Sequence, residues 1–257
     1  MSFVIRSRSS PTTPYDTLAG VIIAGIVLLT LLFGVKWSFV LALDFSVVSM
    51  YARPLFTGFL MTLGISLFSL FAGSIAGILL AVAYRAGSSP VRWLVSAHIE
   101  IWRNTPLLVQ IFWVHFALPM LTGISTTIMV SGVLTLTLQA SSYLAEIIRA
   151  GVASVPKTQW EAAESLGLHP GIIWRKIVLP QALRVMLPPM VNTAFSFFKG
   201  STVLSVLGVT ELLRMGNIIS LHSHKPIEIM TTVGLSYLAV GAIFTLISGF
   251  IERKISR

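Results

Sequence analysis

Four stretches of this chain carry no charged residue: Leu18 to Val35, Pro54 to Tyr84, Asn104 to Ala145, and Ile229 to Ile251. A helix needs about 20 apolar residues to cross the hydrocarbon core of a bilayer. Three of these runs suit one crossing each. The run from Asn104 is too long for one pass, and Pro119 and Thr122-Gly123 interrupt it, so it reads as two helices joined by a short turn. A less apolar segment, Val185 to Val209, holds Lys199 and is broken by Gly200 and Gly208. Pro188 and Pro189 suit its first turn. The count is six spans. Only 11% of the 257 residues are charged and the mean hydropathy is +0.87, where a soluble domain carries roughly 25% charged residues. Too few charges remain to solvate a globular surface, so lipid is the expected solvent.

Six spans put both termini on one side. If that side is cytoplasmic, Lys36, Arg53, Arg214 and Lys225 lie outside and Lys199 within a span. All the other lysines and arginines, of 18 in total, are then cytoplasmic, a clear positive-inside bias. The same distribution accounts for the net charge of +9 without nucleic acid, since no basic stripe interleaved with aromatics is present. The chain has no cysteine, which excludes disulfides, thiolate metal sites and cysteine nucleophiles. Residues 1–17 read as a cytoplasmic tail, disordered through Pro14. The span after it reads as a retained helix rather than a signal peptide, because its apolar core is long and no small-x-small cleavage site follows Val35.

The loop from Arg149 to Arg184, cytoplasmic in this topology, is polar and patterned. Thr158-Gln159-Trp160-Glu161 fits a capping box, with Thr158 as N-cap and Glu161 reaching back. Gly167 can end that helix in a left-handed conformation. Pro170 suits the first turn of a second short helix, and Pro180 stops it. Ala162 and Ala163 let another surface approach closely. Trp160 and Leu166 offer apolar anchors, and Glu161, Glu164, Arg175 and Lys176 offer charges to fix register with a partner. A compact connecting loop is the competing reading.

Glu161-Ala162-Ala163, then Gly167, then Ile177-x-Leu179-Pro180 resembles the EAA motif of permease subunits of ATP-binding-cassette (ABC) importers. Ser142-Tyr143-Leu144-Ala145-Glu146-Ile147, Pro180-Gln181-Ala182-Leu183-Arg184, Leu187-Pro188-Pro189 and Arg103-Asn104-Thr105-Pro106-Leu107-Leu108-Val109-Gln110 are similar to blocks of the polar amino acid uptake group. That group holds the histidine, glutamine, arginine and glutamate permeases. The resemblance spans roughly residues 55 to 257. It implies an all-α integral membrane protein of about six transmembrane helices, both termini cytoplasmic. Residues 18–54 are then an extra N-terminal helix with an outer loop, and 55–257 a five-helix permease core with a cytoplasmic coupling helix. It further implies that Glu161, Ala162, Ala163, Gly167, Trp160 and Leu166 couple to a cytoplasmic ATPase dimer. A second permease subunit, an extracytoplasmic substrate-binding protein and a polar amino acid substrate complete the system, in the inner membrane of a bacterial cell. The chain has no Gly-x-x-x-x-Gly-Lys-Ser/Thr phosphate loop, so ATP and Mg belong to the partner and this chain is no enzyme. An ion-coupled secondary transporter is the alternative, but inverted repeats and an acidic relay are not visible. A non-transporting scaffold would make the EAA spacing accidental.

Within the membrane, Lys199 lies roughly 18 Å along a helix starting near Leu187, at about 1.5 Å per residue, close to the midplane. An intramembrane charge is costly and is a candidate to face the pathway, where it could meet a substrate carboxylate. Ser196, Ser201 and Thr202 surround it as candidate hydrogen-bonding groups, or as interhelical packing groups. Family members commonly carry an acid after this lysine. Gly200 stands there instead, which leaves Lys199 less neutralised and disfavours a cationic substrate. Glu146 and Arg149 are spaced for an i,i+3 ion pair. His115 reads as a packing residue, His222-x-His224 lacks further metal ligands, and Glu211 and Arg214 read as a solvated outer loop. Gly73 and Gly77 form a small-xxx-small pair for close helix packing.

Overall fold

The computed structural model describes residues 14–255. The tail expected over residues 1–17 lies, through residue 13, outside the described residues. The chain divides into two compact units, one ending at Asp44 and one beginning at Phe45. The first holds α1 (Pro14–Gly34) and α2 (Trp37–Leu41). The Thr30 hydroxyl of α1 donates to its own helix at Ile26 O, 2.8 Å away.

The second unit is all helix: α3 (Ser46–Met50), α4 (Ala52–Ala86), α5 (Ser89–Asn104), α6 (Leu107–Phe112), a π-helical turn (Trp113–Ala117), α7 (Leu118–Thr122), α8 (Ile128–Ala153), α9 (Lys157–Ser165), α10 (Pro170–Ile172), a second π turn (Ile173–Val178), α11 (Leu179–Gly200), a 3₁₀ segment (Ser201–Leu207), α12 (Leu212–Ser223) and α13 (Pro226–Ile255). Among the described residues α4, α8 and α13 are each long and apolar enough to cross a membrane, and bent pairs raise the number to as many as six. The turn predicted within the long uncharged run is present. α7 ends at Thr122 and the Thr127 side chain caps α8 by accepting from Val130 N.

No uncharged run covers residues 89–104, and the structure makes them helix α5. Pro90 suits its first turn, and Thr105, held extended before Pro106 at φ −106 and ψ 144, ends it. The chain then turns by 112° into the Leu107–Thr122 segment. Its charges, Arg92, Glu100 and Arg103, hide such a helix from a search for apolar runs.

The core is built on α4 and α8. A Cβ on Gly73 would stand 2.5 Å from Ala140 Cβ, and one on Gly77 would stand 2.9 Å from Ser141 O. This is the close packing the small-xxx-small pair predicted. Ile65, Ile111, Leu136, Ala140, Leu144, Phe197 and Leu204 close around that seam. Across it, His98 of α5 bonds the Ser141 hydroxyl at 3.0 Å.

Glu211 is the main departure from expectation. It is fully buried, not part of a solvated loop. It N-caps α12, its carboxylate accepting from Leu213 N at 3.0 Å and Arg214 N at 2.9 Å. The Thr62 hydroxyl of α4 and the Tyr237 hydroxyl of α13 each donate to Oε2 at 3.1 Å. Four donors and the positive end of a helix dipole stabilise the charge inside the protein. The carboxylate thereby ties α4, α12 and α13 together. Glu211→Ala is expected to cost about 3 kcal/mol or more, since it strands several buried donors, whereas Glu211→Gln costs less. Thermal unfolding of the purified chain in detergent checks the order.

Candidate functional site

The polar segment after α8 folds as a helical hairpin. α8 ends at Ala153 with Ser154 as its C-cap, and Pro156, at φ −56 and ψ 136, redirects the chain into α9. The predicted capping box does not form. Pro156 occupies the N-cap, no side chain caps the helix, and Thr158 and Glu161 both lie inside α9. Proline presets the entry dihedral, so helix starts one residue before the Thr158 signal. The other end is as predicted. Gly167 adopts φ 69, Gly167 N donates to Glu164 O at 2.9 Å, and Leu168 N donates to Ala163 O at 3.2 Å. These two bonds make a Schellman cap.

Pro170 opens α10 as expected, with the His169 side chain accepting from Gly171 N. Pro180 does not stop the second helix. The π turn Ile173–Val178 leads directly into α11, with Pro180 in its first turn. A wider turn ahead of the proline relieves the clash its ring would make with the preceding turn. α11 therefore starts well before Val185, and Pro188 and Pro189 fall in its interior. Such prolines are tolerated where neighbouring groups satisfy the freed carbonyls.

The six hairpin residues singled out from the sequence split between two faces. Glu161, Ala162, Leu166 and Gly167 point outward, and Leu166 is 77% exposed, a bare apolar side chain at the tip. Ala163 is buried in a cluster with Val155, Ile173, Val178, Ala182 and Met186. Trp160 is half-buried against Trp174, centroids 5.3 Å apart and planes at 82°. Glu146 and Arg149 make the expected ion pair at 2.9 Å.

The intramembrane candidates also separate. Lys199 stands in the last turn of α11 rather than halfway along a helix, because α11 opens at Leu179 and not near Leu187. Its Nζ lies 4.4 Å from the Phe195 ring centroid. The hydroxyls of Ser196, Ser201 and Thr202 donate to Asn192 O, Phe198 O and Lys199 O, at 3.0, 2.8 and 2.7 Å. Ser201 is fully buried. Ser196 lines a cavity of about 190 Å³ with Gln139, Tyr143, Thr193, Phe197 and Gly200. Gln139 and Thr193 escaped the sequence reading. Their signal was a run of polar residues inside otherwise apolar helices, Thr137, Gln139, Ser141 and Ser142 on one and Asn192, Thr193 and Ser196 on the other. Gln139 Nε2 donates to Gln110 Oε1 at 3.2 Å, and Gln110 in turn donates to Trp102 O at 3.0 Å. His115 bonds the Ser131 hydroxyl at 3.0 Å, as a packed residue would. Among the described residues no His, Cys, Asp or Glu group is arranged to hold a metal.

Apolar helices of spanning length, with a polar capped hairpin set between two of them, define a multi-pass membrane subunit. Residues 73–257 match the family described as the binding-protein-dependent transport system inner membrane component, and the chain belongs to that family. It is 32% identical over 209 residues to the putative glutamine transport system permease protein GlnP of Rickettsia typhi, covering 80% of this chain and 96% of that protein. It is 32% identical over 213 residues to the arginine transport system permease protein ArtQ of Bacillus subtilis, covering 83% and 97%. Among solved structures it resembles that of an amino acid ABC transporter with histidines. The TM-score is 0.77 at 30% identity, covering 83% of this chain and 99% of that one. The chain is thus an ABC transporter permease subunit of the inner membrane, and hydrolysis of ATP is done by a separate ATPase.

Gly167→Val forces a β-branched residue into the left-handed region at a cost of about 1–2 kcal/mol. The Leu168 amide is then expected to exchange its hydrogen roughly tenfold faster, as read by hydrogen exchange mass spectrometry on the hairpin peptides.

Proposed function

We propose that this chain is the membrane-spanning subunit of an ATP-driven importer for a polar amino acid, and that α9 is the helix through which the ATPase moves it. The observation that carries this reading is the outward face of the hairpin, Glu161, Ala162, Leu166 and Gly167, on a chain of this transport family. Those residues combine charge, little bulk and an exposed apolar tip, which suits a groove on another protein. The ATPase dimer binds ATP and Mg on the cytoplasmic side, where both termini of this chain also lie. Two permease subunits, identical or related, enclose the pathway between residues 55 and 257. An extracytoplasmic binding protein delivers the solute. ATPase closure draws the hairpins together and switches the spans between inward- and outward-facing packings.

The relatives' names support an amino acid as the solute. The cavity at Ser196 supports a small polar one, because Gln139, Tyr143 and Thr193 bring neutral hydrogen-bonding groups to it. Lys199, one turn beyond Ser196, is the candidate partner for the solute carboxylate, with Ser201 and Thr202 setting the end of the helix that carries it.

Gly167→Pro and Glu161→Lys are expected to abolish ATP-dependent uptake while the chain still inserts. Proline can supply neither the φ of 69 nor the N–H that bonds Glu164 O. Normal uptake by either variant refutes the assigned role of the hairpin, and uptake by the chain without any ATPase, driven by an ion gradient, refutes the importer. Lys199→Met is expected to raise the half-saturating solute concentration about tenfold, by loss of a charged hydrogen bond. Unchanged saturation of uptake removes Lys199 from the pathway.

A further inference from the structure

The hairpin is tied to the rest of its unit in three ways: by its two chain connections, by apolar packing on α8 and α11, and by a contact with α4. α9 hangs from α8 by the extended residue Pro156. The second limb enters α11 through the π turn Ile173–Val178, and such turns are local departures from the α-helical ladder. The apolar cluster beneath the hairpin draws on α8, the hairpin and α11. Among the described residues it takes nothing from α4.

The third attachment is to α4, through Arg85 in its last turn. The guanidinium carbon lies 5.0 Å from the ring centroid of Trp160 and 5.0 Å from that of Trp174. One ring comes from each limb, and the rings brace each other edge to face. The preceding residue, Tyr84, carries the Arg149 guanidinium of α8 over its ring at 3.8 Å. Beside this joint lies an open cavity of about 1010 Å³, lined among others by Tyr84, Arg85, Arg149, Trp160 and Trp174. The Arg85 contact therefore bridges a gap rather than adding to a packed core.

We infer that Arg85, held between Trp160 and Trp174, is a positioning residue for energy coupling: it locks the hairpin to α4, so that a push on α9 moves α4 and α8 as one body. Without it the hairpin keeps its packing on α8 and α11 but loses its tie to α4, and part of the push is lost. Arginine suits the task, because a planar, weakly hydrated cation stacks on two aromatic rings where a neutral side chain would not. α4 is already committed to α8 by the Gly73 and Gly77 contacts, so fixing the hairpin to one fixes it to both. The inference rests on the importer reading above.

The test uses the complete transporter in liposomes, with its ATPase and binding protein, and measures ATP hydrolysed and solute taken up in the same vesicles. The solutes are L-glutamine, L-arginine and L-histidine. Arg85 is exposed and at a helix end, so its variants are expected to assemble normally. For Arg85→Gln, hydrolysis is expected to stay within about twofold of the parent while solute moved per ATP falls about fivefold, the effect of losing two cation–ring contacts. Arg85→Lys, which keeps the cation but not the planar stacking surface, is expected to recover only part of the ratio. Parallel loss of hydrolysis and uptake at a constant ratio reduces Arg85 to a structural or docking residue and overturns the inference, as does an unchanged ratio with full uptake. Absence of ATP-dependent uptake of all three solutes, and of L-glutamate in the same vesicles, by the parent complex overturns the importer reading, and this inference with it, before any variant is compared.

Discussion

α4 and α8 meet nearly backbone to backbone, and the other helices of their unit are arranged around that contact. Lipid tails are as apolar as leucine, so no hydrophobic force drives two spans together once both are in the bilayer. Close packing must supply the attraction, and it needs residues without bulk. Gly73 and Gly77 lie against Ala140, Ser141, the Leu144 Cβ and the Ala145 amide with no room for a further carbon. α5 folds back onto the same seam, placing Val95 and Ile99 against Ala145. α11 closes it from another side with Phe197, beneath which the 3₁₀ residue Leu204 is fully buried.

Polar groups fix what packing alone leaves free. Apolar helices slide and rotate at little cost, while a buried donor or acceptor has few places to go. Glu211 sets the corner between the 3₁₀ segment and α12 by gathering donors from α4 and α13. Gln110 and Gln139 pin the α6 end of the bent segment to α8. Many other serine and threonine hydroxyls close on their own helix carbonyls, as Ser66 does on Thr62 O and Ser74 on Leu70 O, whereas Ser69, Ser131 and Ser141 reach a neighbouring element. Among the described residues, the polar groups that reach between helices each help to set a position.

The hairpin was legible where its signals were local and uncontested. Gly167 ends α9 because only a residue without a Cβ takes φ 69 there cheaply, and Pro170 opens the next helix for its fixed dihedral. Two local signals failed because a neighbour overrode them. Pro156 took the N-cap from Thr158, and the π turn let the chain run through Pro180. Spans were read as apolar runs, so α5, with its charges, escaped, and the start of α11 was set too late. The opposite roles of Ala162 and Ala163, one outward and one in the core of the hairpin, follow from helix phase. Which of the two faces inward is set by Val178, Ala182 and Met186 beneath the hairpin, partners that no local window contains.

Composition and the spacing of charges decided the solvent, the helical class and the family resemblance, because each follows from summed local transfer energies and from short-range motif geometry. Tertiary structure alone decided which polar side chains are interior. Glu211 reads as a surface residue in any window around it. Its burial depends on Thr62, 149 residues away in the chain, and on Tyr237, 26 residues away. The same holds for Arg85, whose two aromatic partners stand on separate limbs of a distant hairpin. The cost of burying or holding a charge is set by the groups that surround it in space, and their assembly is a property of the folded chain.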